Sequence, residues 1–352
     1  MMQPRQAEAL RPSPRSSVST VISLQAQIAE MMDQFMDERP FALVDFPDHP
    51  NVGDSAIWLG ELAFFQLFGR SPFYVCGVQN PDWNRLANLP GSPIFIHGGG
   101  NFGDIWPICH NFRIEVMRRF PGRLIVQLPQ SIHFDHEAAI ASTRDAIREH
   151  GNFILLVRDR ESLEFGRRHF ECRVELCPDM AFCLGPQKRR AAPIWDELRL
   201  LRTDKEGVLS RPPDGLQTGI PEAGVTKPTI MTSDWLDEPG TLRRRMRLQT
   251  YLAHRWKPKN NLEQEYFLAL AKHRTERGLR MLSRARHVTT DRLHAHILCT
   301  LLGIRHTVLD NSYGKIRRFM GTFGTDWAGV TLGAPDQVLS PLPAGVGQEE
   351  SL

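Results

Sequence analysis

The sequence has no apolar run near the roughly 18–20 residues that a membrane-spanning helix needs. It has no CxxC pair, and no lysine follows a Walker-type glycine loop. These absences argue against a bilayer span, a zinc ribbon and a P-loop nucleotide site. Charge of one sign is also missing: 43 Lys and Arg face 40 Asp and Glu, for a net +3. The isoelectric point near 8.6 is too mild to mark a nucleic-acid binder. The N-terminus carries Arg and Ser without an apolar core, so no secretory signal is expected. Internal repeats and sustained heptads are absent as well.

What is present fits a globular protein. Its 352 residues allow one large domain or two medium ones. The hydrophobic fraction of 41% supports a substantial core. The six cysteines sit largely inside apolar runs such as "FYVCGV" and "HILCTLLG". They read as buried, reduced thiols of a cytoplasmic protein. Cys172, Cys177 and Cys183 match no zinc spacing, so no metal site is expected.

The first half alternates by type. Short apolar strands ("FALVDF", "FYVCGV", "PIFIHG", "RLIVQLPQ", "FILLVRD") are separated by helical stretches. One of these, residues 55–68, is expected to begin at Asp54 or Ser55. Near-continuous apolar strands between helices imply a parallel sheet covered on both faces. After residue 186 a second series follows: strands in "ELRLLRTDKE", "KPTIMTSDW", "HVTTD" and "RHTVLD", and helices near 238–256, 262–284 and in "RLHAHILCTLLG". Residues 206–227, rich in Pro and Gly, read as a loop or insertion. The expected organisation is therefore a largely disordered segment with a lead helix (1–34), a Rossmann-like domain (35–186), a second one (187–330) and a disordered tail (331–352). Residues 1–20 in particular lack periodicity. Two such α/β domains place ligands in a cleft at the strands' C-terminal ends.

Candidate site residues lie at those ends. In "PDHPNVGDSAI", Asn51 and the Gly53 amide can meet a ligand at a helix N-terminus, or Asp54 simply caps the helix. In "HGGGNFGD", Gly98, Gly99 and Gly100 offer backbone surface, with Asn101 and Asp104 beside them; the alternative is a tight turn. The Asp104 carboxylate would repel phosphate, so this loop suits an uncharged part of a ligand better than an anion. Ser131 and His133 follow another strand. Arg158 ends a strand and suits an anion clamp, with Arg160 two residues on. In "TTDRLHAHI", Asp291 or a threonine caps a helix whose first turn holds His294. His294 shares a stripe with Ile297, Leu298 and Leu301, so it faces inward. The positive helix end disfavours imidazolium, which suits a neutral acid/base group. His296 points about 200° away and is expected to be exposed. Arg202, Arg292 and Lys315 add positive charge at comparable positions.

The ordered series "NVGDSAI", "HGGGNFGD", "QLPQSIHF", "VRDRESLEF", "CPDMAF", "LLRTDKE", "TDRLHAHI" and "DNSYGKI" resembles the polysaccharide pyruvyl transferase family over residues 41–325. The resemblance implies a fold similar to two-domain GT-B glycosyltransferases. It implies transfer of a pyruvyl group from phosphoenolpyruvate to a sugar, with phosphoenolpyruvate as co-substrate and no other cofactor. The family's "RLH" histidine falls on His294 and its "RD" arginine on Arg158.

That chemistry needs cations for phosphate and carboxylate, which Arg158, Arg160, Arg202, Arg292 and Lys315 supply, and an acid/base group, which His294 supplies. The resemblance implies that the acceptor is a saccharide of an exopolysaccharide or other surface glycan. "RRRMR" (243–247) reads as a solvated helix face, or as contact with an anionic membrane presenting a lipid-linked acceptor. The alternatives are a GT-B-type glycosyltransferase using a nucleotide sugar and a non-catalytic carbohydrate-binding protein.

Overall fold

A computed structural model describes residues 15–89, 91–202, 229–253, 262–310, 314–325 and 327–333. The elements run α1 (Ser17–Asp33), β1 (Ala42–Phe46), α2 (Val52–Leu67), β2 (Tyr74–Gly77), α3 (Trp83–Ala87), β3 (Ile94–Ile96), β4 (Gly99–Phe102), α4 (Pro107–Arg119), β5 (Ile125–Ile132), α5 (Glu137–His150), β6 (Phe153–Val157), α6 (Arg160–His169) and β7 (Arg173–Leu176). A 3-10 turn (Met180–Leu184) leads to β8 (Trp195–Leu200), β9 (Ile230–Ser233), α7 (Leu242–Ala253), α8 (Leu262–Ser283), β10 (Ala285–Thr290), α9 (Leu293–Leu302), β11 (His306–Leu309), α10 (Lys315–Phe323) and β12 (Val330–Gly333).

The fold is α/β with two parallel sheets. The first runs β2-β1-β3-β5-β6-β7, with β4 joined to β5; the second runs β12-β11-β10-β8-β9. In both sheets the chain first builds outward on one side and then crosses back to the other. The reversal falls between β1 and β3 in the first sheet and between β8 and β10 in the second. Crevices open at the C-terminal ends of strands flanking such a reversal. Asp45 and His97 lie at the first of these points, Arg202 and Asp291 at the second. The apolar stripe Val21, Leu24, Ile28 and Met32 of α1 joins a buried cluster that continues through α2, α8, α9 and both sheets. Burying each such side chain contributes roughly 1.5–3 kcal/mol.

Several expectations need correction. Helix α1 begins at Ser17, inside the stretch read as unstructured; the Ser16 hydroxyl accepts from the Ser19 amide, and Thr20 is buried. Helix α2 begins at Val52 and its N-cap is Asn51, not Asp54 or Ser55. Helix α9 is preceded by Arg292 and has no side-chain cap, so neither Asp291 nor a threonine caps it. The glycine stretch is a strand, not a loop. Gly98, Gly100 and Gly103 happen to stand at GxGxxG spacing, but they lead through β4 before α4 begins at Pro107. The strand–turn–helix context of a dinucleotide fingerprint is therefore missing. Strand β12 extends into the expected tail. Residues 206–227 lie outside the described residues.

His296 is the clearest reversal. It is fully buried: its Nδ1 lies 2.8 Å from His306 Nε2 and its Nε2 lies 2.8 Å from Thr325 Oγ1. Burial, with His306 alongside, holds its imidazole well below the ordinary value. A one-face helical reading fails here because nearly every residue of α9 is buried.

Candidate functional site

One cavity of about 530 Å³ is lined by residues that follow strands of both sheets. That size suits a small-molecule site. Asp45, Phe46, Asn51, Asp54, His97, Gly98, Gly100 and Asn101 come from the first sheet side, with Arg158 from the end of β6. Arg202, Trp235, Asp291, Arg292, Leu293 and His294 come from the second.

His294 stands in the first turn of α9, mostly shielded from solvent. Its Nε2 lies 3.5 Å from Asp179 Oδ2 and 3.4 Å from Arg158 Nη1. Arg158 Nη1 also donates to Asp179 Oδ2 at 2.5 Å, and Arg158 Nε donates to Ser131 Oγ at 3.0 Å. The imidazole thus sits beside a buried ion pair of a cation and an anion. Protonated at Nε2 it faces Asp179; unprotonated there it accepts from Arg158. Burial pushes the Asp179 carboxyl up, but the His294 hydrogen bond and the Arg158 guanidinium hold it far below the usual carboxylate range. Arg158 is 1% exposed and already paired, so Asp179 largely neutralises the charge expected to clamp an anion.

Around α9 the cations are better placed. The uncapped helix start presents its positive end to the cavity. Arg292, 3% exposed, donates to Asp234 Oδ2 at 2.6 Å while its buried Nε has no partner. Arg202 lines the same wall, and its amide donates to Asp291 Oδ1 at 2.9 Å.

On the first-sheet side, Asn51 Oδ1 accepts from the Gly53 amide at 3.0 Å and Asn51 Nδ2 donates to Asp54 Oδ2 at 2.8 Å. The Gly53 amide is therefore engaged in capping rather than facing a ligand. Its importance is steric, because a Cβ there would stand 2.2 Å from His294 Nδ1. Burial pushes the Asp54 carboxyl up, but His49, His294, His97 and Arg158 hold it below its ordinary value. Gly98 and Gly100 line the cavity, whereas Gly99 pairs with Gln130 in the sheet. The Gly98 amide donates to Glu61 Oε1 at 2.8 Å, and a Cβ at Gly98 would meet the Pro129 carbonyl at 2.8 Å. Asn101 is fixed by Gln130 Nε2 and Arg113 Nη2, both donating to its Oδ1.

Other expected residues stand apart from the cavity. Asp104 accepts from the amides of Asp135 and His136 and pins that turn. His133 Nε2 lies 3.0 Å from Asp135. Arg160 is exposed at the start of α6. Lys315 opens α10, but its side chain lies outside the described residues.

Four residues were not singled out from the sequence. Asp179 stood in "CPDMAF", where its Oδ1 accepts from the Ala181 amide. Its signal was a carboxylate flanked by apolar residues, which needs a buried partner. Glu61 and His97 form a buried pair: His97 Nδ1 donates to both Glu61 oxygens, at 2.9 and 3.0 Å. Glu61 follows Trp58 by three residues and precedes Phe65 by four, so it lay on an apolar stripe. Burial pushes the His97 imidazole down, but Glu61, Asp45 and Asp54 carry it net above its ordinary value. Asp45, a carboxylate within the apolar "FALVDF", also lines the cavity.

Comparison with known proteins identifies the family. A model of the polysaccharide pyruvyl transferase family matches residues 51–313. The chain is 32% identical to pyruvyl transferase 1 of Schizosaccharomyces pombe, over 94% of this chain and 83% of that one. It is 30% identical to the putative pyruvyl transferase EpsO of Bacillus subtilis, over 87% and 92%. A functionally uncharacterised protein from Klebsiella pneumoniae shares the fold, with TM-score 0.57 and 17% identity over 88% of this chain and 98% of that one. The matched span contains the cavity residues from Asn51 to His294, and the chain belongs to the polysaccharide pyruvyl transferase family and is a transferase.

Proposed function

We propose that this transferase moves the pyruvyl group of phosphoenolpyruvate onto two hydroxyls of a surface-glycan saccharide, forming a ketal and releasing phosphate. The observation that carries this reading is His294 at the uncapped start of α9, in one cavity with Arg202 and Arg292. A helix N-terminus beside an arginine whose buried Nε has no partner fits a phosphate or carboxylate. His294 protonates the enol methylene of phosphoenolpyruvate, and C2 becomes oxocarbenium-like. One saccharide hydroxyl adds at C2; a second displaces phosphate. The Arg158–Asp179 pair holds the imidazole in place. A GT-B-like pair of Rossmann-like domains fits the two parallel sheets and the shared cavity.

The saccharide lies toward Asp54, Gly100 and Asn101, where hydrogen-bonding groups replace cations. Trp106, 53% exposed at the rim, offers its face to a sugar. Helix α7 exposes Leu248, Tyr251 and Leu252 beside Arg244 and Arg245, while its Arg247 lines the cavity. This suits a lipid-linked acceptor presented at an anionic membrane. Six free cysteines fit a reducing, cytoplasmic setting. Among the described residues no helix is long and apolar enough to cross a membrane. The test is phosphate release from phosphoenolpyruvate that depends on an added saccharide; release that ignores the saccharide would refute the transfer reading.

A further inference from the structure

We propose that Asp45 is a second acid/base group of this site, accepting the proton of the acceptor hydroxyl as its oxygen bonds to C2. The inference rests on the phosphoenolpyruvate reading above. Three geometric observations carry it. First, Asp45 sits in a bulge: Val44 pairs with Cys76 and Phe46 with Gly77, which leaves Asp45 as the extra residue of β1. Bulges re-aim a side chain, and they are uncommon between parallel strands. Second, its φ is +72°, and no other non-glycine among the described residues has a positive φ. Such a conformation is strained for an L-residue, least so for Asp and Asn, and is held where a site requires it. Third, the side chain is 2% exposed, lines the cavity, and its Oδ2 has no hydrogen-bond partner. Asn101 hydrogen-bonds this carboxyl, and Oδ2 is the oxygen left open to accept. The nearby guanidinium of Arg113 donates instead to Gln127 and Asn101.

The groups facing Asp45 are Arg113 and Cys109 of α4, His97 after β3, Glu61 of α2 and Cys76 of β2. Burial pushes both thiols up to about 12, so they stay neutral. Burial also pushes the Asp45 carboxyl up to about 7, with Arg113, His97 and the Asn101 hydrogen bond pulling down and Glu61 pushing up. A carboxyl that titrates near neutrality can both take and return a proton at working pH.

The reaction needs such a group. His294 gives a proton to C3. The first hydroxyl bonds to C2 and its proton passes to Asp45. The bond from C2 to the bridging oxygen of the phosphate then breaks; phosphate leaves with the electron pair and takes a proton from water. The second hydroxyl bonds to C2 and its proton returns to His294. Asp45 releases its proton to water, and both groups are restored.

The experiment compares wild type, Asp45→Asn and Asp45→Gly. Phosphate release from phosphoenolpyruvate is followed with a panel of p-nitrophenyl hexosides between pH 5 and 9. Calorimetry measures phosphoenolpyruvate affinity in parallel. Asp45→Asn should keep that affinity and lose roughly 10²-fold in kcat, together with the ionisation near pH 7. Asp45→Gly, which the positive φ favours, should regain turnover when formate is added, a response that a purely structural role would not give. Wild-type kcat and an unchanged pH profile in Asp45→Asn would overturn the inference. So would a loss that formate does not rescue and that falls equally on phosphoenolpyruvate affinity. A wild type that releases no phosphate with any hexoside overturns the phosphoenolpyruvate reading, and this inference with it.

Discussion

Gly53 and His294 are in such close contact that a single methyl group separates a working site from a displaced one: a Cβ on Gly53 would stand 2.2 Å from His294 Nδ1. The glycine opens the first turn of α2, and the histidine opens that of α9. Each helix start therefore sets the position of the other. Gly53→Ala should be destabilised, because the clash reaches His294 Cβ at 2.6 Å and the start of α9 must shift with it, and should lose about 10²-fold in kcat as the imidazole moves. Gly321→Ala is the contrasting control. That glycine lies within α10 with nothing near its missing Cβ, so alanine should stabilise by about 0.5–1 kcal/mol and leave turnover alone. Thermal melts and initial rates check both.

The Arg158–Asp179 pair should be costly to break from either side. Both residues are buried, so Arg158→Ala or Asp179→Ala leaves one charge without a partner, a loss of about 3–5 kcal/mol. The double variant should be less destabilised than the sum of the two single variants. The Asp179 carboxyl is held below its unfolded value, so its stabilising contribution is present above the unfolded value of 3.8. It is lost only as pH falls through the lower folded value. The deficit of Asp179→Asn should therefore hold steady from pH 5 to 8 in denaturant titrations.

Asp45 carries the opposite sign. Its folded value, about 7, lies above its ordinary 3.8, so the folded state binds the extra proton between them. Stability then falls as pH rises through that window. Asp45→Asn removes the titration. Its melting temperature relative to wild type should climb from pH 4 to pH 7 and level off above, by up to about 4 kcal/mol in stability. A flat difference across that range would show that the carboxyl does not titrate there.

At the rim, Trp106→Ala should raise the KM for the saccharide several-fold and leave the KM for phosphoenolpyruvate unchanged. The indole is exposed where it lines the cavity, at the start of α4 on the first-sheet side. Steady-state kinetics with each substrate varied in turn checks this.

Much of this architecture was legible in the sequence because buried parallel strands are short apolar runs, and β1, β3, β5 and β6 appear where such runs stand. Strand β4 was not legible. Gly99, Gly100 and Asn101 have little intrinsic strand preference; pairing of Gly99 with Gln130 and the Asn101 bond to the Gln130 side chain make the strand. His294 was legible from its place at the start of an apolar helix. His296 was misread because helical spacing assumes one wet face, and α9 has almost none. The role of Arg158 changed because its partner Asp179 is 21 residues away, beyond the reach of local pattern. Asp45 was hidden for a similar reason: its bulge and positive φ arise from packing between β1 and β2, and no residue beside it in the chain announces them.

The most direct test of the account is phosphate release from phosphoenolpyruvate by wild type and His294→Ala, with and without a saccharide, with the sugar product examined by mass spectrometry. The account predicts release only with the saccharide, a product carrying one pyruvyl ketal, and at least about 10²-fold slower turnover in His294→Ala. Wild-type turnover in His294→Ala, or a saccharide recovered unmodified while phosphate is released, would contradict it.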